Sequence, residues 1–264
     1  MVVDGTGEDD GVTDDPPPDD GPEAPQPRDR LARFERLAEH DFRRMTMPAW
    51  LRHTDGEQRW PSALTIAVMI GLQISLPGEL SIWTRWALIA VEALIIVMLV
   101  VKNPGRLHQG SPHLRRLSLA LIAVASLVNG WSAAWLVQDI VLGRDTGSAG
   151  HLLASGGNVW LINVLTFAVW YWELDRGGPA ERALGSHPIP DFLFPQMSTP
   201  DMAPVDWEPE FLDYLYLAFT NSMAFSPTDT LPLSRWAKST MLLQSAISLV
   251  VAALVVAKAV NAFQ

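Results

Sequence analysis

Five long segments of this chain are almost free of charged residues. Four contain no Asp, Glu, Lys or Arg, and the remaining one contains Glu92 alone. The segments are residues 62–77, 86–101, 117–138, 157–172 and 239–257. A helix needs about 20 mainly apolar residues to cross a bilayer, and somewhat shorter segments also serve. The pattern therefore predicts an all-α, multi-pass helical integral membrane protein whose first partner is the lipid bilayer.

The net charge of −10 belongs largely to one end of the chain. Residues 1–27 contain nine acidic residues, six prolines and no Lys or Arg, which leaves 20 acids (29 − 9) against 19 bases elsewhere. Such a segment cannot bury enough apolar surface to offset the entropy lost on ordering. We expect residues 1–30 to be a disordered acidic, Pro-rich tail. It either solubilises the protein or docks on a basic partner.

Apolar residues recur at helical spacing between Arg28 and Ala49, and the opposite face of that helix is charged. This pattern predicts an amphipathic interfacial helix within residues 31–60. Two alternatives stay open for its apolar face. It lies on the membrane surface, or it packs on the protein's own cytoplasmic loops.

Basic residues in short loops indicate orientation, because they remain on the cytoplasmic side. They flank the entry to the first segment and occupy the loop between the second and third. These residues are Arg43, Arg44, Arg52, Arg59, Lys102, Arg106, Arg115 and Arg116. We expect a bacterial inner-membrane protein with a cytoplasmic N-terminus. Residues 61–173 would form four transmembrane helices, the fourth ending on the cytoplasmic side near Glu173.

The region after the fourth span is less regular. Residues 174–210 hold seven prolines and no long apolar run, which predicts an extramembrane loop whose Phe192, Leu193 and Phe194 dock on the membrane surface. The next segment, F-L-D-Y-L-Y-L-A-F-T-N-S-M-A-F at 211–225, is short for a span. It forms either a short buried crossing or a re-entrant helix before the last span, since irregular backbone is tolerated at membrane depth only where protein or a cavity surrounds it. The total is five or six transmembrane helices, with residues 211–264 as a helix-loop-helix module.

The polar stretch 219–232 has two interpretations. In the first it is only a helix break, in which Ser226 or Thr228 caps the last helix, and Pro227 and Pro232 end one element and open the next. In the second it lines a path for an ion or small solute. The lining residues would then be Thr220, Asn221, Ser222, Ser226, Thr228 and Asp229.

Glu92 is an acid in the middle of the second segment. A carboxylate at that depth costs about 2.5 kcal/mol or more on insertion scales, so it should face the bundle interior, be protonated or have a partner. The candidate partners are Arg85, Gln73, Asn129, Asn158, Asn163 and Gln244. It is either a functional acid or a neutral hydrogen-bonding group that joins helices.

Four motifs in residues 161–262 resemble an uncharacterised bacterial family of multi-pass membrane proteins, known only as a domain of unknown function. They are F-A-V-W-Y-W-E at 167–173, D-F-L-F-P at 191–195, the segment at 211–225, and V-A-K-A-V-N at 256–261. The resemblance implies a membrane location and no established activity.

The same C-terminal region is similar to the pore module of the potassium-channel superfamily, in which a short helix leads into T-V-G-Y-G-D, a proline and the inner helix. In an ungapped comparison, Ser226, Pro227 and Thr228 fall on Gly-Tyr-Gly, and Asp229 and Pro232 fall on the Asp and the following Pro. Residues 236–262 fall on the inner helix. The filter glycines are missing, and a proline fixed near φ −65° does not replace them. A potassium-type ring of carbonyls is therefore not expected.

Patterns for chemistry are absent from the sequence. It has no Cys, its six histidines lack metal-ligand spacing, and it contains neither a G-x-S-x-G turn nor a Gly-rich phosphate loop. We expect no enzyme activity, cofactor, metal site or nucleic-acid binding. The sequence predicts a membrane protein with a pore-loop-like module. It would form a weakly selective path for monovalent cations or small solutes as a homo-oligomer. The alternative is a non-transporting structural or regulatory protein that recruits partners through its tail.

Overall fold

The fold of this protein is dominated by helices, as predicted. The computed structural model describes residues 47–58, 60–75, 89–90, 93–94, 112–143, 149–224 and 229–262. All of them belong to one compact unit, Thr46–Gln264. The predicted tail, the predicted amphipathic helix up to residue 46 and most of the second apolar segment lie outside the described residues.

Seven helices and two short strands have defined bounds in the described part of the chain, and residues 89–90 and 93–94 are also helical. The helices are α1 (Trp60–Ser75), α2 (Pro112–Val141), α3 (Ala149–Leu174), α4 (Pro179–Leu184), α5 (Pro195–Ser198), α6 (Phe211–Ala224) and α7 (Arg235–Ala262), with 3-10 turns at Ala49–Leu51, Asp175–Gly177 and Pro200–Met202. Strand β1 (Phe192–Leu193) pairs antiparallel with β2 (Leu231–Pro232), with Phe192 opposite Pro232. Three stretches are long and apolar enough to cross a membrane: Arg115–Val141, Gly150–Leu184 and Arg235–Lys258. Helix α1 is apolar but shorter.

Helix α3 is the centre of the bundle. It packs against α1, α2, α6 and α7, and its Ile162, Ala168 and Tyr171 are fully buried. A helix that is apolar all round has to be buried in this way. By contrast, α2 and α7 leave large apolar side chains outside, with Leu127 75% and Leu242 73% exposed. Surfaces of this kind are suited to lipid.

Side-chain contacts give the direction of each helix relative to α3. Near the end of α3, Trp170 donates to Ser126 in the first half of α2. Near the start of α3, Asn158 donates to Ser75, the last residue of α1. Along α7, Gln244 contacts Tyr171 and Ser248 contacts Asn163. Helices α1, α2 and α7 therefore run antiparallel to α3, so their starts and the end of α3 share one face of the bundle, which we call the head face.

The residues on the head face form a small folded head, defined as residues 47–58, 175–210 and 229–233. Phe192 and Phe194 are 0% and 3% exposed. The Phe192 ring lies 5.0 Å from that of Tyr171 and 5.5 Å from that of Trp236, and the Phe194 ring lies 5.3 Å from that of Tyr214. The prediction that Phe192 and Phe194 dock on the membrane surface was wrong, because the protein's own aromatic rings cover them.

Helix α6 enters the bundle from the head and does not reach the other side. Its first residue, Phe211, packs on Trp172 at the end of α3, and Phe219 packs on Trp160, three turns further from the head. With 14 residues the helix is about 21 Å long, against a hydrocarbon core of about 30 Å. The chain is back in the head at β2. Residues 211–230 thus begin and end on the same face, as the re-entrant alternative requires.

The last helix begins later than its predicted caps. Its first residue is Arg235, and the Ser234 hydroxyl accepts a hydrogen bond from the Ala237 amide at 3.3 Å. Pro232 lies in β2, where the ring's lack of an N–H is tolerated in a two-stranded edge. The prediction that Ser226 or Thr228 caps this helix was wrong, since Ser234 caps it.

The path of residues 211–230 can be tested by labelling, because the natural chain contains no Cys. Asp201→Cys and Asp229→Cys place exposed thiols before and after α6, and Leu142→Cys places one at the far end of α2. In sealed vesicles of one orientation, an impermeant maleimide should label positions 201 and 229 from the same side and position 142 from the opposite side. If position 229 instead reacted together with position 142, α6 would have to be a full crossing.

Candidate functional site

Buried polar side chains gather in two places. The first, which we call the amide cluster, lies inside the bundle and consists of Asn163, Tyr171, Asn221, Ser222, Gln244 and Ser248. The second, which we call the charged cluster, lies in the head and consists of Glu57, Asp175, Arg176, Arg182, Asp191 and Tyr214. Four residues of the amide cluster were singled out from the sequence, namely Asn163, Asn221, Ser222 and Gln244. The charged cluster was not predicted.

The side-chain amide of Gln244 is the centre of the amide cluster and is fully buried. Its nitrogen donates to the Ser222 hydroxyl and to the Ala218 carbonyl, both at 2.8 Å. Its oxygen accepts from the Asn221 amide at 2.8 Å and from the Tyr171 hydroxyl at 2.6 Å. Both donor hydrogens and both acceptor positions of the amide are thereby used. One side chain of α7 fastens α6 and α3 together.

Three predicted lining residues of α6 have different environments. Asn221 also donates to the Met241 carbonyl at 3.0 Å, and Ser245 donates to its side-chain oxygen at 3.1 Å. Asn221 and Ser222 therefore face α7 within the same chain. Thr220 is half-buried and donates to the Tyr216 carbonyl of its own helix at 2.9 Å.

The remaining predicted site residues are not brought into this cluster. Asp229 is exposed in the head, next to the buried Thr230, and Pro232 belongs to β2. Ser226, Pro227, Thr228 and Glu92 lie outside the described residues.

Amides also join the bundle further from the head. Asn163 donates to the Ser248 hydroxyl at 3.0 Å and accepts from Asn129 at 3.4 Å, so α2, α3 and α7 meet at one polar point. Hydrogen bonds of this kind hold helices together in membranes. Asn129, Asn163 and Gln244 were predicted as partners of Glu92. The structure shows that the Asn163 side chain is hydrogen-bonded to both of the others. Its oxygen accepts from the Asn129 amide, and its nitrogen donates to the backbone carbonyl of Gln244.

In the charged cluster, Asp175 joins three elements just after the end of α3. One carboxylate oxygen accepts from the backbone amides of Asp191 and Phe192 at 2.9 and 3.3 Å. The other accepts from the Tyr214 hydroxyl at 2.6 Å. The carboxylate is fully buried. It fixes the strand β1 and the first turn of α6 to the end of α3.

Arg182 carries the ion pair of the cluster. Its guanidinium donates to one Glu57 oxygen at 2.6 and 3.0 Å, and to the backbone carbonyls of Trp172 and Asp175 at 2.6 and 3.0 Å. The indole of Trp172 donates to the second Glu57 oxygen. A buried ion pair is tolerated when hydrogen bonds satisfy its remaining atoms, as they do here.

Arg176 has a backbone conformation that L-residues rarely adopt, with φ 52°. Its amide donates to Asp191 at 2.9 Å, and its guanidinium donates to the carbonyls of His187 and Trp50, each at 2.6 Å. A left-handed non-glycine residue costs about 1–3 kcal/mol and persists only where its surroundings enforce it. Three hydrogen bonds from one residue supply that enforcement.

A cleft of about 240 Å³, its open mouth included, adjoins the charged cluster. Its lining includes Trp50, Thr54, Glu57, Arg176, Arg182 and Glu208. Burial raises the pKa of Glu208 above its ordinary value, and the charges of Glu57 and Glu210 raise it further. A hydrogen bond from Thr54 and the charge of Arg182 oppose that rise in pKa.

The sequence holds a signal for this cluster that charge counting does not use. The run L-D-R-G-G-P at 174–179 places an acid and a base against two glycines directly after an apolar span. Gly178 has φ 98°, and a side chain there would meet the Glu173 carbonyl. An Asp-Arg pair beside a required glycine indicates an ordered turn with fixed side-chain contacts, and not a flexible loop. The partner Glu57 is 125 residues from Arg182, so no local pattern connects them.

Comparison with known proteins adds nothing to these observations. No protein-family model matches the chain, and neither a curated protein nor a solved structure matches it. The resemblances described from the motifs therefore stay predictions.

Replacing Gln244 tests the amide cluster. Gln244→Leu keeps the side chain's bulk but leaves Tyr171, Asn221 and Ser222 without their shared partner. We expect the free energy of unfolding to fall by about 1–3 kcal/mol, the usual cost of buried unpaired polar groups. Reversible unfolding in mixed micelles, followed by Trp fluorescence, measures this change.

The matched control is Leu242→Ala on the same helix, at a side chain that is 73% exposed. It should change the free energy of unfolding by less than about 0.5 kcal/mol. Equal effects of the two variants would show that the cluster does not hold the helices.

Glu208 gives a pH prediction with a defined sign. Its pKa is higher in the folded than in the unfolded protein, so folding takes up a proton and stability is lost as the pH rises through the folded pKa. Glu208→Gln cannot ionise. The melting temperature of the variant minus that of the natural protein should therefore increase as the pH rises from about 4 upward. A difference that stays constant with pH would show that the carboxyl is not desolvated.

Proposed function

We propose that this chain is an integral membrane protein with five crossings and a re-entrant, pore-loop-like segment, and that several copies together form a weakly selective cation path. The observation that carries the proposal is the course of residues 211–230. They leave the head, descend between α3 and α7, and are back in the head before α7 begins. A pore loop has this course, with a short helix held between two crossing helices.

The fifth crossing follows from where two helices end. Ser75 lies at the far end of the bundle, because it contacts Asn158 near the start of α3. Pro112 lies on the head face, because α2 runs antiparallel to α3. The chain between them has to pass from one face to the other, and the second apolar segment, 86–101, lies in that interval.

Basic residues support the orientation of the bundle. Arg52, Arg115, Arg116, Arg235 and Lys238 all belong to the head or to helix turns on the head face. Under the positive-inside rule these residues support a cytoplasmic head, and we propose a bacterial inner membrane as its location. In this orientation α6 enters from the cytoplasmic side, whereas the pore helix of a potassium channel enters from outside.

The proposal divides the predicted lining residues into two roles. Asn221 and Ser222 fasten α6 through Gln244, so they support the segment and do not line a path. Thr220 and Asp229 have half-buried and exposed side chains and lie outside the amide cluster, and we assign the lining to them. Hydroxyls and a carboxylate favour cations, and without the filter glycines no strong preference for potassium over sodium is expected.

A second function, non-transporting and structural or regulatory, is favoured by a different observation. The amide cluster is satisfied inside one copy, and the charged head carries a cleft on the side predicted to be cytoplasmic. A protein that recruits partners needs only these features. The two functions differ in assembly, because a pore built from one such segment per chain needs several copies around an axis.

Ion flux into liposomes tests the proposed path. The purified protein should admit sodium and potassium at rates within about tenfold of each other, since it lacks the structure that separates them. Asp229→Asn should lower cation flux severalfold at low ionic strength and less at high ionic strength, because salt screens a charge at the mouth.

The matched control is Asp201→Asn, an exposed acid of the head that lies outside 211–230. Its flux should equal that of the natural protein. If the natural protein admits no ions under voltage, pH change or membrane tension, the path does not exist and the non-transporting function stands.

A further inference from the structure

The cleft of the head lies where the apolar helices end. On one side it is lined by Trp50, Thr54 and Glu57, which precede the start of α1 at Trp60. On the other it is lined by Arg176, two residues after the end of α3, and by Arg182. A site at this level is within reach of phospholipid headgroups, because both helices begin or end their apolar stretches beside it.

Among the residues that the structure describes, two buried donors of this cleft find no acceptor. They are the second terminal nitrogen of Arg176 and the indole nitrogen of Trp50. Arg176 is only 2% exposed, and its guanidinium carbon lies 5.6 Å from the centre of the Trp50 ring. Buried donors are nearly always paired in native proteins, so two adjacent unpaired ones indicate a missing acceptor.

The charge of Arg176 identifies the kind of acceptor. The hydrogen bonds from its guanidinium go to the backbone carbonyls of His187 and Trp50. Within the described residues, no carboxylate contacts that guanidinium directly. Arg182 differs, because Glu57 pairs with it. An oxyanion is therefore the natural partner for Arg176, and a guanidinium with an indole N–H beside it suits a phosphate oxygen.

The opposite part of the lining favours a cation. Glu208 is half-buried and lines the cleft together with Thr54. Among the described residues it makes no ion pair, whereas both oxygens of Glu57 are engaged by Arg182 and Trp172. An ammonium group that donates N–H bonds would match the Glu208 carboxylate.

We propose that this cleft binds the zwitterionic headgroup of an ethanolamine phospholipid, with the phosphate at Arg176 and Trp50 and the ammonium at Glu208. A choline headgroup has no N–H to donate to Glu208. A glycerol headgroup has no cation at all. The site should therefore prefer ethanolamine lipid over both. This inference is independent of the proposed cation path, since it concerns only the head.

The experiment is lipid binding to the full-length protein, measured by native mass spectrometry in detergent. Ethanolamine, choline and glycerol phospholipids with identical acyl chains are added singly. The natural protein should retain ethanolamine lipid about tenfold more than either of the others, the ratio expected for one additional charge-assisted hydrogen bond. Free phosphoethanolamine is added as a competitor to separate the headgroup from the acyl chains.

Two variants separate the two ends of the headgroup. Glu208→Gln should remove the preference, so that the three lipids bind about equally. Trp50→Phe keeps a ring on Arg176 and the backbone carbonyl that Arg176 uses, but removes the N–H, and should lower retention of all three lipids severalfold. Asp201→Asn, outside the cleft, should change nothing, and unaltered melting temperatures would show that the variants are folded.

Competition by free phosphoethanolamine would show that the headgroup is recognised by itself. Displacement by excess ethanolamine lipid alone would show that the acyl chains add to the same site. Equal retention of the three lipids by the natural protein would overturn the proposal, and so would a preference that both variants keep.

Discussion

The constraint on which this structure depends is that a helix ending inside a membrane must have its polar groups satisfied by protein. In the proposed topology, helix α6 is such a helix, because it starts in the head and ends beside the middle of α3. Its deep end is held by Gln244, which pairs with Asn221, Ser222 and the Ala218 carbonyl. Its shallow end is held by Tyr214, which donates to Asp175. The positions of α7 and of the turn after α3 follow, since Gln244 belongs to α7 and Asp175 to that turn.

The charged cluster also satisfies buried polar groups with protein partners, on the head face of the bundle. Asp175 and Arg182 are buried where the apolar part of α3 ends. Asp175 accepts from the backbone amide of Asp191, and Arg182 donates to the backbone carbonyl of Trp172. Removing one member would leave a buried charge unpaired, which costs more than the pair itself contributes. The cluster therefore acts as a unit that fixes segment 47–58, β1 and α6 on the end of α3.

The sequence predicted the features that depend on composition and period. Uncharged segments gave the long apolar helices α2, α3 and α7, whose cores match the predicted ranges, and the short segment at 211–225 gave α6. Its course could only be stated as two alternatives, because entry and exit on one face depend on the pairing of β1 with β2, two residues from each strand. The buried Phe192 and Phe194 could not be predicted, since an aromatic ring suits a membrane interface and a protein core equally well.

In the candidate site, too, the residue types could be predicted from the sequence, but their contacts could not. The sequence singled out Asn163 and Gln244 as candidate partners of Glu92 and Asn221 as a lining residue, and the structure places all three in hydrogen bonds between helices. Which partner each has depends on helix register, and Gln244 lies 23 positions from Asn221. The consequence for function is specific. Because this pairing uses Asn221 and Ser222 inside one chain, a path along α6 has to be lined by Thr220, Asp229 and residues outside the described part of the chain. One copy supplies few such residues, so the proposed path requires the same segment from neighbouring copies.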